Sequence, residues 1–179
     1  MRIISGEFKG RKITAPKKLP VRPTTDMAKE ALFNILNNQY YFDDIMVLDL
    51  FAGTGNISYE FASRGTDKIT AVDSYYGCIK FISETASSFK MNISTIKSDV
   101  YKYLQHTKQD FDIIFADPPY DFTIESFGKI PELIFENKIL KENGLLILEH
   151  SKHTNLTDLK HYSYSKSYGG NVFSFFENT

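Results

Sequence analysis

Asp117, Pro118, Pro119 and Tyr120 follow directly on the apolar run FDIIFA, so a carboxylate, two prolines and an aromatic ring stand where a buried strand ends. In an open α/β sheet that place lies beside the ligand crevice. These residue types suit one chemistry. An exocyclic amine on a nucleobase is a poor nucleophile, because its lone pair is delocalised into the ring. Two acceptors that grip both of its N–H groups draw the nitrogen toward tetrahedral geometry. Asp117 supplies one acceptor and the Pro118 carbonyl the other. The prolines lack N–H donors and have a fixed φ, which holds that carbonyl in place. Tyr120 offers a face on which a base stacks. The group is built to hold an amine-bearing planar ring against an electrophilic methyl. A bare Pro-Pro turn is the competing reading, and it weakens if a cofactor loop stands nearby.

VLDLFAGTGNIS reads as such a loop: strand, tight turn, helix. Gly53 and Gly55 remove side chains where a ligand approaches backbone amides at a helix N-terminus. Eighteen residues after Gly55 the next strand closes in Asp73, placed to accept from both hydroxyls of a ribose. Glycines serving only a turn, and Asp73 serving only as a helix cap, form the bland alternative. A dinucleotide fingerprint requires a third small residue, Gly or Ala, where this chain has Ser58. The first strand also carries its own acid, Asp49, two residues before Phe51. A carboxylate there repels a pyrophosphate and suits an ammonium or a sulfonium, which favours S-adenosylmethionine over NAD. Asp99 closes a third strand. It is placed either to accept from an adenine amino group or to cap the following helix. Ser74 and Val100, directly after these two acids, complete the expected cofactor contacts.

The elements that must position these groups follow from periodicity. IMVLDLF, KITAVDS, NISTIKSD, FDIIFAD and GLLILEH read as strands, with helical stretches GNISYEFASRG, GCIKFISETASSF, VYKYLQHT and IESFGKIPELIFEN between them. Strands alternating with helices imply βαβ units. The tail pairs LKHYSYSKS with NVFSFFE around Gly169-Gly170, an antiparallel hairpin at the sheet edge. The expected fold is α/β: a Rossmann-like, mostly parallel seven-stranded sheet with an antiparallel C-terminal hairpin. Ahead of it, RIISGEFKGRKITAP predicts a small β-hairpin and the stretch after RPTTD a helix capped at Thr25 or Asp26. We divide the chain at 1–40, a basic hairpin-and-helix extension, and 41–179, the cofactor-binding domain.

Composition sets outer limits. The 179 residues are 42% apolar and 24% charged, ordinary for a soluble protein, with no apolar run of spanning length and no signal-peptide pattern. The single cysteine fits a reducing cytoplasm, and Cys78 has the helical spacing of a core residue. The four histidines lack partners at metal-ligand spacing, so no metal is expected. The net charge of −1 hides an asymmetry: residues 1–22 carry seven basic side chains against one acid. A basic arm on an acidic body is either a polyanion contact or a solubilising tail.

RIISGEFKGRKITAP, RPTTD with KEALFNIL, VLDLFAGTG and FADPPY, in that order and spacing, resemble the bacterial RsmD-type family of class I S-adenosylmethionine-dependent methyltransferases. The resemblance covers nearly the whole chain and is strongest over residues 1–60 and 111–122. It implies methylation of guanine N2 in small-subunit ribosomal RNA by a cytoplasmic monomer, acting on naked RNA or on the assembled subunit. It implies catalytic roles for Asp117, Pro118 and Tyr120, cofactor contacts from Asp49, Phe51, Gly53, Gly55, Asp73, Ser74, Asp99 and Val100, and RNA contacts from Arg2, Lys9, Arg11, Lys12, Arg22 and Thr24. Many relatives carry an arginine where Met27 stands, and Lys29 is expected to keep a positive charge on that turn. Many also carry Asn for Asp117, which implies that accepting a hydrogen bond matters more than removing a proton. The alternative is an adenine-N6 or other exocyclic-amine methyltransferase acting on DNA, another RNA or a glutamine amide. A catalytically idle RNA-binding module on the same fold is a further alternative, against which the intact DPPY stands.

Overall fold

A computed structural model describes residues 1–22 and 24–178, so Pro23 of the RPTTD stretch lies outside the described residues. Among these, seven strands form one sheet: β1 (Met46–Leu50), β2 (Lys68–Asp73), β3 (Ile93–Lys97), β4 (Phe111–Ala116), β5 (Leu140–Ser151), β6 (Tyr162–Tyr168) and β7 (Asn171–Glu177). Their order is β3-β2-β1-β4-β5-β7-β6. β1 to β5 pair in parallel, and β7 runs antiparallel between β5 and β6. The helices are α1 (Asp26–Asn37), α2 (Asn56–Ser63), α3 (Tyr76–Phe89), α4 (Val100–His106) and α5 (Ile124–Glu136). The chain winds outward from β1 to β3, then crosses back to lay β4 against the free side of β1. That reversal opens a crevice at the carboxyl ends of β1 and β4.

Side chains alternate between the two faces of a strand. Val47, Ile113, Phe115 and Ile147 join Leu32, Phe33 and Leu36 of α1 and Ile57 and Phe61 of α2 in one core layer. Leu48, Leu50, Ile114, Ala116 and Leu148 join Leu104 of α4 and Phe127 and Ile130 of α5 in the other. Asp49 and Glu149 are in phase with the first set, and Asp117, just past β4, continues the same alternation. The sheet therefore presents three acids on one face, at the end where the crevice opens.

The N-terminal hairpin is present in reduced form, as a single antiparallel bridge between Arg2 and Lys12. It grows no longer because the arm spends its donors on α2. The Ile4 and Ser5 N–H groups donate to the Glu60 carboxylate at 2.9 and 3.0 Å, and the Glu7 N–H donates to the Ser63 carbonyl at 2.7 Å. Gly6 sits at φ +84°, where a Cβ would collide with the Ser63 carbonyl. Ile3 and Ile13 are buried against Tyr59 and Ile82, so the arm is docked on the body. The Thr25 hydroxyl caps α1, accepting from the Ala28 N–H at 3.2 Å.

Lys29 overturns its expectation. Its ammonium points inward, donating to the Arg2 carbonyl at 2.6 Å and Asn56 Oδ1 at 2.8 Å, and lies 3.4 Å from Glu60. The side chain is only 1% exposed, so it adds no surface charge to that turn. Burial lowers its pKa, with the Glu60 carboxylate opposing. No helix among the described residues is long and apolar enough to cross a membrane.

Candidate active site

The crevice has a volume of about 580 Å³ and is lined from four sides, one of them the N-terminal segment with Val21, Arg22 and Thr24. Phe51, Gly53 and Thr54 come from the loop after β1, Asp73 and Ser74 from the end of β2, and Asp117, Pro118, Pro119 and Tyr120 from the segment after β4. Pairing of β1 with β4 places Leu50 opposite Ala116, and the Asp117 N–H donates to the Leu50 carbonyl at 3.4 Å. The glycine loop and the DPPY segment, far apart in sequence, are thus adjacent by strand register. Phe51 adopts φ +55°, Gly53 φ +56° and Gly55 φ +83°, so the loop enters the left-handed region three times. For an aromatic residue that conformation costs about 1 kcal/mol or more, a strain that local structure must hold.

Asp73 holds it. Its Oδ2 accepts from the Gly53 N–H at 2.9 Å and its Oδ1 from the Tyr75 N–H at 2.8 Å. An ionised carboxylate has about four acceptor sites, so capacity remains for two hydroxyls. Asp73→Ala is therefore expected to weaken S-adenosylmethionine binding by at least about 1.5–3 kcal/mol, the worth of one charged hydrogen bond. Calorimetry on the folded variant checks this, and unchanged affinity would remove Asp73 from the site.

Three carboxylates stand in unusual surroundings. Asp49 is 2% exposed, accepts from the Ser58 hydroxyl at 2.6 Å and lines the crevice. Burial pushes its pKa up to about 7. Glu149 is also buried, and burial pushes it up to about 7 against the pull of Thr24 and Asn171. Asp117 is raised well above the usual carboxylate range, by burial and then by the negative charges of Glu149 and Asp49. A buried acid open to a cavity and unmatched by a protein cation fits a cationic ligand group. Together with the free acceptor sites of Asp73 and the volume, the residues present fit S-adenosylmethionine.

Other expected residues are placed differently. Gly55, at φ +83°, faces the Tyr59 ring and Ile82 rather than the crevice, because a Cβ there would stand 2.8 Å from that ring. Asp99 caps α4, accepting from the Lys102 N–H at 2.9 Å, and Val100 is buried in the core below it. Neither lines the crevice. Lys9, Arg11 and Lys12 are exposed on the arm, away from its walls. Arg2 bonds Asp26 at 3.1 Å. Arg22 reaches the crevice mouth and lies 5.6 Å from the centroid of the exposed Tyr120 ring. Thr24, expected on the RNA face, turns inward: it is 7% exposed, and its hydroxyl donates to Glu149 Oε2 at 2.6 Å. Cys78 is buried, and burial pushes its thiol up to about 11, which leaves it unreactive. Among the described residues, no group of three His, Cys, Asp or Glu side chains could hold a metal ion.

Glu149 was not among the expected site residues. Its signal in the sequence is faint: an acid in phase with Leu145 and Ile147 at the end of a buried strand. Nothing in LLILEH marks it as paired with Thr24, 125 residues earlier.

A family model described as conserved hypothetical protein 95 matches residues 1–177. The Bacillus subtilis protein named "putative rRNA methyltransferase YlbH" is 32% identical over 163 residues, covering 88% of this chain and 86% of its own. Haemophilus influenzae ribosomal RNA small subunit methyltransferase D is 32% identical over 164 residues, covering 85% of this chain and 79% of its own. The solved Escherichia coli structure described as "putative methyltransferase yhhF" superposes with a TM-score of 0.83 at 27% identity, over 100% of this chain and 99% of that one.

Proposed function

From the premise that the chain belongs to the conserved hypothetical protein 95 family, with ribosomal RNA small subunit methyltransferase D among its relatives, we propose that it methylates the exocyclic N2 amine of a guanine in small-subunit ribosomal RNA, using S-adenosylmethionine. The observation that carries this reading is the placement of Asp117 and Pro118 at the end of β4, lining one crevice with Gly53 of the loop and Asp73.

When bound, S-adenosylmethionine would supply an electrophilic methyl group, with its sulfur leaving as a neutral thioether that keeps the S–C bonding pair. Asp49 and Asp73 would hold its cationic and ribose portions. Asp117 and the Pro118 carbonyl accept from the two amine N–H groups, and their negative and partial negative charges oppose the positive charge that develops on nitrogen. Orientation in the crevice supplies much of the rate. As the N–C bond forms, one amine proton leaves to the Asp117 carboxylate. Tyr120, 65% exposed at the mouth, offers the stacking face for a base turned out of its helix. In this reading residues 1–40 form the RNA-facing extension of the methyltransferase domain 41–179.

The test is incubation of unmethylated small subunits, naked ribosomal RNA and DNA with labelled methyl donor, followed by mapping of the product. Label on guanine N2 in ribosomal RNA is the expected result. Label on adenine N6 or on DNA would overturn it.

The arm makes a separate prediction. Lys9, Arg11 and Lys12 are exposed, and none forms an ion pair with another of the described residues. Replacing all three by Ala should raise the KM for RNA and lower the log–log salt slope by about 0.7–0.9 per lost phosphate contact. Cofactor affinity should stay where it is, because these residues lie outside the crevice. An unchanged slope with normal RNA affinity would leave them as a solvated surface.

A further inference from the structure

We infer that Glu149 is a positioning residue for methyl transfer, a second carboxylate that acts through Asp117 and ties it to the N-terminal segment. The inference rests on the function proposed above. Two observations place Glu149 there. Strand register pairs Ala116 of β4 with Leu148 of β5, so the next residues on each, Asp117 and Glu149, stand side by side on the same face. Both line a small void of about 10 Å³ behind the DPPY turn, too small for a base. Glu149 is 5% exposed and lies off the crevice wall, so it acts on substrate through a neighbour, and of its neighbours Asp117 is the one that carries the chemistry.

The carboxylate is held firmly. The Thr24 hydroxyl donates to Oε2 at 2.6 Å, and Asn171 Nδ2 of β7 donates to Oε1 at 2.7 Å. Thr24 is itself fixed, its carbonyl accepting from Asn56 Nδ2 at 3.0 Å. Asn56 Oδ1 in turn accepts from Lys29, whose ammonium also reaches the Arg2 carbonyl. A continuous run of buried polar contacts thus leads from the basic arm to the acid beside Asp117. Replacing that acid by an apolar residue would leave the Thr24 and Asn171 donors without their partner.

Two adjacent carboxylates share a proton, because both resist ionising together. The charged groups acting on Asp117 are Glu149 from β5 and Asp49 from β1, with Asp73 of β2 acting on Asp49, while Arg22 of the N-terminal segment lines the same crevice over the Tyr120 ring. His150, next on β5, also lines the void behind the DPPY turn, with its two ring nitrogens 2.8 Å from the Ser151 carbonyl and 2.8 Å from the Ser174 hydroxyl. Asp117 takes up the amine proton only when it is ionised beforehand. Glu149 raises the pH at which that happens and makes the ionised form a stronger proton acceptor.

The test is Glu149→Gln, which keeps size, removes the charge and keeps one acceptor for Asn171, while its NH2 group donates to the Thr24 hydroxyl, which rotates to accept. Single-turnover methylation is measured against pH, and the Asp117 carboxyl is followed by carbon-13 NMR titration in cofactor-free protein. The like charge is removed, so Asp117 ionises more easily. The acid limb of the rate profile and the Asp117 titration should both move to lower pH, by on the order of one unit. The KM for S-adenosylmethionine should be unchanged. A uniform loss of rate with an unmoved acid limb would make Glu149 merely structural and overturn the inference. An unmoved Asp117 titration would overturn it independently of activity. A wild-type protein inactive on every RNA, with the titration shifted as expected, would sink the proposed function and leave the carboxylate pair standing.

Discussion

Asp117→Ala should abolish methyl transfer, by at least about 10²–10³-fold in kcat, while leaving S-adenosylmethionine affinity nearly unchanged. The magnitude is that of losing one preorganised partner to charge developing in a transition state. The affinity persists because Asp73 and the left-handed loop at Phe51 and Gly53, which form the other wall, do not depend on Asp117. Asp117→Asn separates two roles. If accepting a hydrogen bond is the main contribution, the Asn variant retains partial activity, and its rate profile loses the acid limb that Asp117 imposes. If proton removal dominates, the Asn variant is folded, binds RNA and is inactive. Single-turnover rates for both variants, with cofactor binding by calorimetry, distinguish these outcomes. A fully active Ala variant would remove Asp117 from the chemistry.

Asp49→Asn should move stability and cofactor affinity in opposite directions. The Asp49 pKa in the folded protein is about 7, against an unfolded value near 3.9. The folded state therefore binds more protons than the unfolded state between these values. By linkage, wild-type stability falls as pH rises through this window and levels off above it. At pH 8 the cost of the buried charge is on the order of 4 kcal/mol, and at pH 4 it is nearly absent. The Asn variant lacks a charge to bury and keeps an acceptor for the Ser58 hydroxyl. Its cofactor-free Tm at pH 8 should exceed wild type by roughly 8–16 °C, and the two should converge near pH 4. Its affinity for S-adenosylmethionine should fall by about ten- to a hundredfold, since a charged partner to the cation is lost. Binding to wild type below about pH 7 should also release a proton, visible as buffer-dependent calorimetric heat. Equal pH profiles of Tm in the two proteins would mean that Asp49 is not held in a raised state.

Much of the frame was legible because its signals are local. Alternation in FDIIFAD, helical spacing in GCIKFISETASSF and the turn at Gly169-Gly170 each involve residues within one or two turns of chain. The same holds for Gly53 and for the acids at or near the ends of β1, β2 and β4, Asp49, Asp73 and Asp117, all of which line the crevice.

What the chain could not reveal by itself lies in pairings across long separations. Return of the chain from β3 to the free side of β1 is a tertiary choice, and it alone brings the glycine loop against DPPY. Thr24 and Lys29 look like surface residues from their polarity and their place near a helix start. The structure buries both, because Glu149 and Asn56 with Glu60 stand ready as partners, and a polar group leaves water at low cost only when another satisfies it. Glu149 is the same case seen from the other side. Its type and phase are printed in LLILEH, but its neighbour Asp117 is supplied by strand register, and its donors by segments more than a hundred residues upstream and 22 residues downstream. Local sequence determines which groups are able to act, and the register of the sheet decides which of them meet.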